Sequence, residues 1–214
     1  MSLFLGAQPL QRMKTVQDQN VIAQRMELLN ARYEEFRDNP IARICLWLIQ
    51  PDELPMIEAF FQVENTEHGN FPDLFIRFES AFENPDQYQR ALSEEFAAFL
   101  DEERAQAEQD GADAAFLTNP RLRQLPILSA LSDFAHAVPD LQEGNVVAWL
   151  MPEYVRDYAA WENWMAEALA QGFPPKVRLM LAGTAEAHGF ARLRAGHGSS
   201  FTTIIPNLDM PAAM

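Results

Sequence analysis

Residues 183–200, GTAEAHGFARLRAGHGSS, concentrate glycine, histidine and arginine near the end of the chain. Backbone amides of a glycine-rich turn can cradle an anion, and arginine adds charge and directed donors. The segment follows a predicted parallel strand, and open α/β sheets bind ligands at the carboxyl ends of such strands. The candidate anion-binding residues are Arg192, Arg194, His197, Gly198 and Ser199. The alternative interpretation is a surface loop or a β-hairpin with glycine turns.

Two groups of carboxylates and histidines have the spacing of metal ligands. Glu64, Glu67 and His68 stand at i, i+3 and i+4, so one helix face can present all three. Glu186 and His188 form a weaker pair. The asparagine, threonine and glycine around the first group favour a fraying helix end. With four histidines and one cysteine in the chain, we predict no metal and no other cofactor.

Nucleophilic catalysis has little support in the residues. Cys45 lies inside an apolar run, which predicts an inert core thiol. Ser199 and Ser200 are not framed by the Gly-x-Ser-x-Gly pattern of a nucleophile elbow. We therefore predict no catalytic residue and favour a protein that is not an enzyme.

The charge balance limits the partners. Lysine and arginine number 16 against 31 acidic residues, and the formal net charge is −15. Such a surface repels phosphate backbones, so we expect no nucleic-acid partner. We expect a protein partner instead, either one with a basic surface or a second copy of this chain. No apolar stretch approaches the length of a bilayer span, so we expect no membrane partner. A lone thiol fits a reducing compartment, which predicts a cytoplasmic protein. We also expect the 214 residues to be part of a longer bacterial-type protein.

Hydrophobic periodicity predicts a helix followed by alternating strands and helices. Residues 17–38 carry apolar side chains in steps of three and four, which indicates an amphipathic N-terminal helix. Strands are predicted at residues 43–49, 73–80, 145–151, 176–182 and 201–205. Helices are predicted at residues 51–63, 86–109, 121–137 and 155–171. The sequence thus predicts a helical extension over residues 1–40. A three-layer α/β domain over residues 41–214 follows, with a mainly parallel sheet of about five strands and helices on both faces.

This element order, over residues 43–206, resembles the core of P-loop nucleoside triphosphatases, including the AAA and STAND groups. The resemblance implies a glycine- and lysine-bearing phosphate loop after the first strand and a magnesium-binding acid at the end of the third. Residues 50–55 read QPDELP instead, with two prolines that lack amide donors and two carboxylates that repel phosphate. The third strand ends in Met151-Pro152, and we interpret Glu153 beyond it as a helix-start charge. The resemblance therefore implies a degenerate domain without Walker motifs.

Taken together, the residues predict a non-enzymatic protein-interaction or scaffold domain. Its acidic helix at 86–109 or its N-terminal helix would meet the partner. The alternative is a domain that binds a small molecule, an anion or a nucleotide through the loop at 183–200.

Overall fold

A computed structural model describes residues 16–66, 68–184 and 190–210. Strands and helices alternate along the chain, as the periodicity predicts. The strands are β1 (Ile44–Ile49), β2 (Leu74–Phe78), β3 (Val146–Leu150), β4 (Val177–Thr184) and β5 (Phe201–Ile204). The helices are α1 (Val16–Arg37), α2 (Leu54–Glu64), α3 (Pro85–Asp110), α4 (Ile127–Ala137), α5 (Tyr158–Ala170) and α6 (Ala191–His197). Short 3₁₀ turns occupy Ala115–Thr118, Pro120–Arg123 and Pro139–Leu141.

The five strands form one parallel sheet in the order β2-β3-β4-β1-β5. β1 and β4 lie inside the sheet, with Ile44 opposite Leu179 and Trp47 opposite Ala182. Because parallel neighbours require crossovers, each connection crosses a face of the sheet and covers it. The predicted three-layer α/β architecture is confirmed.

Two hydrophobic cores lie on the two faces of the sheet. α1 and α2 cover one face, where Trp47, Trp149, Phe61 and Tyr33 pack together. The side chains of α3, α4, α5 and α6 cover the other face. Alternate residues of each strand enter opposite cores, which explains why β1 and β3 are apolar throughout. Tyr158, which the helical pattern assigns to the interior, is 41% exposed at the start of α5.

Local sequence signals set the ends of the longest described helix. The Asn84 side chain accepts a hydrogen bond from the Gln87 amide, and Pro85 follows at the first helical position. Gly111, at φ 68°, ends α3 in the left-handed conformation that glycine adopts most readily. These are the expected boundaries of the acidic helix.

Two predicted elements differ from the structure. Residues 121–137 do not form one helix, because Pro126 precedes α4 and the chain before it is a 3₁₀ turn and a bend. The loop or hairpin expected within 183–200 contains α6, since strong helix formers at residues 191–195 suit the crossover from β4 to β5.

Buried polar groups hold α1 at the amino-terminal end of the sheet. Asp73 is buried, and it accepts hydrogen bonds from the Tyr33 hydroxyl at 2.6 Å and the Asn145 amide at 2.7 Å. Arg178 donates to the carbonyls of Phe36 at 2.7 Å and Arg37 at 2.6 Å, which satisfies the open end of α1. Over the residues described, no helix is both long and apolar enough to cross a bilayer.

Candidate functional site

The topology places a crevice at the carboxyl end of β1. The connection from β1 runs through α2 over one face, and the connection from the adjacent β4 runs through α6 over the other. Adjacent strands whose connections diverge in this way form the switch point at which open α/β sheets bind ligands. Residues 50–53, between β1 and α2, form the floor of this crevice.

The carboxylate of Glu53 occupies the position at which a ligand anion would meet this loop. Glu53 is only 4% exposed. Its Oε2 accepts a hydrogen bond from the Gln50 amide at 2.7 Å, and its Oε1 accepts one from the Leu208 amide at 2.6 Å. Both acceptor oxygens are therefore engaged by backbone donors of the chain itself, and hydrogen bonds to an ionised group are the stronger kind. The expected strand-to-helix turn is present, and its acid serves the fold.

The segment after β5 closes the crevice from above. Leu208 is buried in the core under α1 and α2, and its backbone carbonyl accepts a hydrogen bond from Arg25 Nε at 2.7 Å. The Arg25 guanidinium also donates to the carbonyl of Asp209. Arg25, on α1, is itself buried. The chain after β5 is thus held against α1 by the arginine and against the β1 loop by Glu53.

The space that remains at the switch point is shallow and acidic. It measures about 400 Å³, and its lining residues are Gln50, Asp52, Glu53, Asn207, Asp209 and Met210. Three of these side chains are carboxylates, and none is basic. A polyphosphate there would meet like charge without a lysine or arginine to offset it.

Two more buried or partly buried carboxylates accept hydrogen bonds from backbone amides at the same carboxyl end of the sheet. Glu95, on α3, accepts the amides of Glu79 at 2.9 Å and Ser80 at 2.6 Å, just beyond β2. Glu162, buried on α5, accepts the Leu193 amide at 2.9 Å in the first turn of α6. After β1, β2 and β4, the protein therefore supplies its own anion to loop or helix-end donors.

The residues of the predicted anion site do not converge. Arg192 and Arg194 are exposed on α6, and a spacing of two residues sets their side chains about 200° apart around the helix axis. His197 ends the helix, and Gly198 and Ser199 follow it at the opposite end of the sheet, where the Ser200 carbonyl accepts the Arg43 and Ile44 amides. The predicted amide nest is thus a helix end at the amino-terminal end of the sheet, away from the carboxyl end of β4. Anion binding by these residues stays a prediction.

The other candidate residues have structural surroundings. Glu64 is buried and accepts hydrogen bonds from the amides of Asn70 at 2.7 Å and Phe71 at 3.1 Å. Glu67, Glu186 and His188 lie outside the described residues. Within the ranges described, no three histidine, cysteine or acidic residues are grouped to hold a metal ion. Glu153 is exposed ahead of α5, and Asp157 caps that helix instead, so the helix-start interpretation of Glu153 was wrong.

A second surface, on α3, combines apolar and acidic groups. A cavity of about 270 Å³ lies between α3 and α4, and its walls include Phe99, Phe116 and Phe134. Glu103 lines it and is half-buried, and burial and then the Glu102 carboxylate raise the pKa of Glu103. A neighbouring cavity of about 650 Å³, along the outer edge of β2, shares Phe99. We call these two cavities the α3 groove. Its carboxylates are Glu79, Glu95, Glu102, Glu103 and Asp113.

Comparison with known proteins gives a limited result. No protein-family model matches the chain, and no curated protein matches it in sequence. One similar solved structure is a chain of the structure of Drosophila ORC bound to DNA, at 12% sequence identity and a TM-score of 0.46. The match covers 97% of this chain and 37% of that one, so this chain spans little more than a third of its length. A similarity of this size assigns neither a family nor a function.

Proposed function

We propose that this chain is a non-catalytic protein-interaction domain, built on a P-loop NTPase-like α/β sheet that has no working phosphate loop. The observation that carries the proposal is the position of Glu53. Its carboxylate lies at the switch point of the sheet and accepts hydrogen bonds from the amides of Gln50 and Leu208. Because the protein's own side chain occupies the usual ligand position, the sheet retains its fold but does not bind a ligand there.

Electrostatics supports the absence of nucleotide chemistry. A triphosphate needs several backbone donors and a cation at the first loop, which here offers two prolines, Asp52 and Glu53. Displacing the buried Glu53 carboxylate would also leave the Gln50 and Leu208 donors without their acceptor. Losing a hydrogen bond to a buried charged group costs about 1.5–3 kcal/mol. A bound phosphate would therefore have to offset the lost Glu53 hydrogen bonds and also the repulsion from the carboxylates around it.

The α3 groove is the surface that suits a partner. Phe99 and Phe116 are only partly buried and border a cavity large enough for an apolar side chain. Among the described residues, the one arginine that lines the groove is Arg77, and it is paired with Glu58 at 3.1 Å and with Glu79 at 2.5 Å. A basic peptide with an apolar anchor complements these features, because its charges offset the carboxylates while the anchor fills the apolar cavity.

Thermal melting tests the nucleotide half of this proposal. The purified chain is melted with and without about 1 mM Mg-ATP and Mg-GTP. A nucleotide bound at about 10 μM would add roughly 2.7 kcal/mol, or on the order of 5 °C, to a domain of this size. We expect no shift with either nucleotide. A shift of several degrees would overturn the proposal.

Peptide titration tests the partner half. The probe is a synthetic peptide with one phenylalanine between lysines, compared with the same peptide carrying glutamates. We expect the lysine peptide alone to perturb the backbone amide resonances of α3 near Phe99, with affinity that falls as salt rises. Glu103→Gln should weaken binding several-fold, whereas Glu34→Gln, an exposed acid on α1, should not. Equal binding of both peptides, or no perturbation on α3, would contradict the role of the groove.

A further inference from the structure

The outer edge of β5 has unpaired backbone groups. The Ile44 amide donates to the Ser200 carbonyl at 3.0 Å, and β1 pairs with β5 in the register Ile44 with Phe201. In a parallel ladder, the backbone groups of alternate residues point toward the neighbouring strand. In this register the amides and carbonyls of Thr202 and Ile204 therefore point toward β1. Those of Phe201, Thr203 and Ile205 point away from the sheet. Within the described part of the chain, no group hydrogen-bonds to these three residues on that side.

The opposite edge of the sheet, at β2, is treated differently. The Asn65 side chain accepts from the Phe75 amide at 3.0 Å and donates to the Phe75 carbonyl at 2.8 Å, as a neighbouring strand would. Farther along, Glu95 accepts the amide of Glu79. Exposed edges are templates for strand pairing, and natural sheets usually block them. Here one edge is blocked by side chains and the other is open.

A groove runs beside the open edge of β5. It measures about 410 Å³ and lies between β5 and α1. Two atoms of its lining residues, Thr203 Oγ1 and Arg32 Nε, are buried without a hydrogen-bond partner among the described residues. Ile205, at the end of the groove, is 51% exposed. Both atoms are covered within the chain, so a strand laid along this edge would pair with the outward backbone groups of β5 and cover the isoleucine.

We propose that the open edge of β5 binds β5 of a second copy of this chain, antiparallel, around a two-fold axis at Thr203. In that register Thr203 faces Thr203 of the second copy, and Phe201 faces Ile205. All three outward-pointing residues then become hydrogen-bonded pairs, with about six backbone hydrogen bonds across the axis. The two sheets continue into one another.

The rim of the groove is suited to a two-fold interface as well. Arg32 and Glu35, on α1, both border it. Within each chain Arg32 Nη1 already lies 3.3 Å from the Glu35 carboxylate. In an isologous interface each contact occurs twice, so the two copies bring these ion pairs together with opposite charges facing each other. The net charge of −15 on each copy opposes association at long range. Added salt screens that repulsion, so dimerisation strengthens between low and physiological ionic strength.

This interaction goes beyond the proposed partner-binding role, because it uses the edge of the sheet opposite the α3 groove and needs no other protein. Sedimentation velocity of the chain, from about 5 μM to about 300 μM protomer, tests it. We expect a monomer–dimer equilibrium that shifts toward dimer with concentration and with salt. Hydrogen exchange at the Thr203 and Ile205 amides should slow at least several-fold at the higher concentration. A monomer over the whole range would overturn the proposal and leave the peptide titration unaffected.

Two variants locate the interface. Thr203→Pro removes an outward amide without touching the ladder to β1, and Ile205→Lys adds a charge at the exposed end of the groove. We expect both to shift the equilibrium to monomer by at least tenfold in dissociation constant, with unchanged circular dichroism for Ile205→Lys. Val63→Lys changes an exposed apolar residue on α2 and should remain dimeric. Dimers that survive both β5 variants, or that Val63→Lys dissociates, would contradict pairing through β5.

Discussion

The Glu53 carboxylate accepts a hydrogen bond from the Leu208 amide at 2.6 Å, across 155 residues of sequence. The same carboxylate accepts the Gln50 amide at 2.7 Å, so one side chain joins the end of β1 to the chain that follows β5. Arg25 holds the other side of that chain through the Leu208 carbonyl. The position at which open α/β sheets generally bind ligands is here a structural junction.

Glu53→Gln should destabilise the fold. The amide keeps one acceptor oxygen but turns an NH₂ group toward a backbone donor, so one buried hydrogen bond is lost and two donors oppose each other. We expect a loss of about 2–4 kcal/mol in the free energy of unfolding, measured by urea denaturation. Asp52→Asn removes the same charge one residue away at an exposed position, and should change stability by less than about 0.5 kcal/mol. Equal effects of the two substitutions would argue against the junction.

Asn65 should protect the β2 edge as well as stabilise it. Asn65→Ala leaves the Phe75 amide and carbonyl without partners, so we expect a loss of about 1–2 kcal/mol and concentration-dependent association beyond that of the unaltered chain. Asn65→Asp keeps an acceptor for the Phe75 amide and adds a charge at the edge. It should lose stability without associating more than the unaltered chain does. Light scattering beside urea denaturation separates the two effects, and an Asn65→Ala chain that is as stable as the unaltered one and associates no more than it does would refute both.

Much of the fold was predictable from local pattern. β1 and β3 are apolar on both faces because both faces are covered, and that pattern is visible in the sequence alone. The order of the strands in the sheet was not predictable, because the length of a crossover connection does not determine which strand the next one pairs with. α6 was missed because seven residues flanked by glycines carry a weak helical period, and its N-terminal turn depends on Glu162 of another helix.

For the site, the sequence predicted only that a phosphate loop is missing. Residues 50–55 lack the glycines and lysine that phosphate requires, and that absence is a property of local chemistry. The partners of Glu53 were not predictable, because Leu208 is brought to it by the path of the chain after β5. The basic residues of 183–200 looked convergent as a loop, yet Arg192 and Arg194 diverge once the segment is helical.

Cys45 should be unreactive until the chain unfolds. It lies inside β1 with no exposed surface, and burial raises the pKa of its thiol well above the ordinary value. We expect no reaction with a thiol reagent in native buffer and one reactive thiol per chain in denaturant. Ser199→Cys, at an exposed position after α6, should react at once. Prompt labelling of Cys45 in the native chain would show that β1 opens locally.

Alkaline unfolding should report two buried tyrosines. Burial, then the Asp73 carboxylate, raises the pKa of Tyr33 well above its usual value, and burial raises that of Tyr88. Because the folded-state pKa lies above the unfolded one, this stability is complete below about pH 10 and falls by about 1.4 kcal/mol per tyrosine per pH unit above it. Tyrosinate absorbance should therefore rise for two of the four tyrosines only as near-ultraviolet circular dichroism is lost. Tyr154→Phe, at an exposed site, should leave that cooperative step unchanged, and ionisation of all four tyrosines with the fold intact would contradict the assignment.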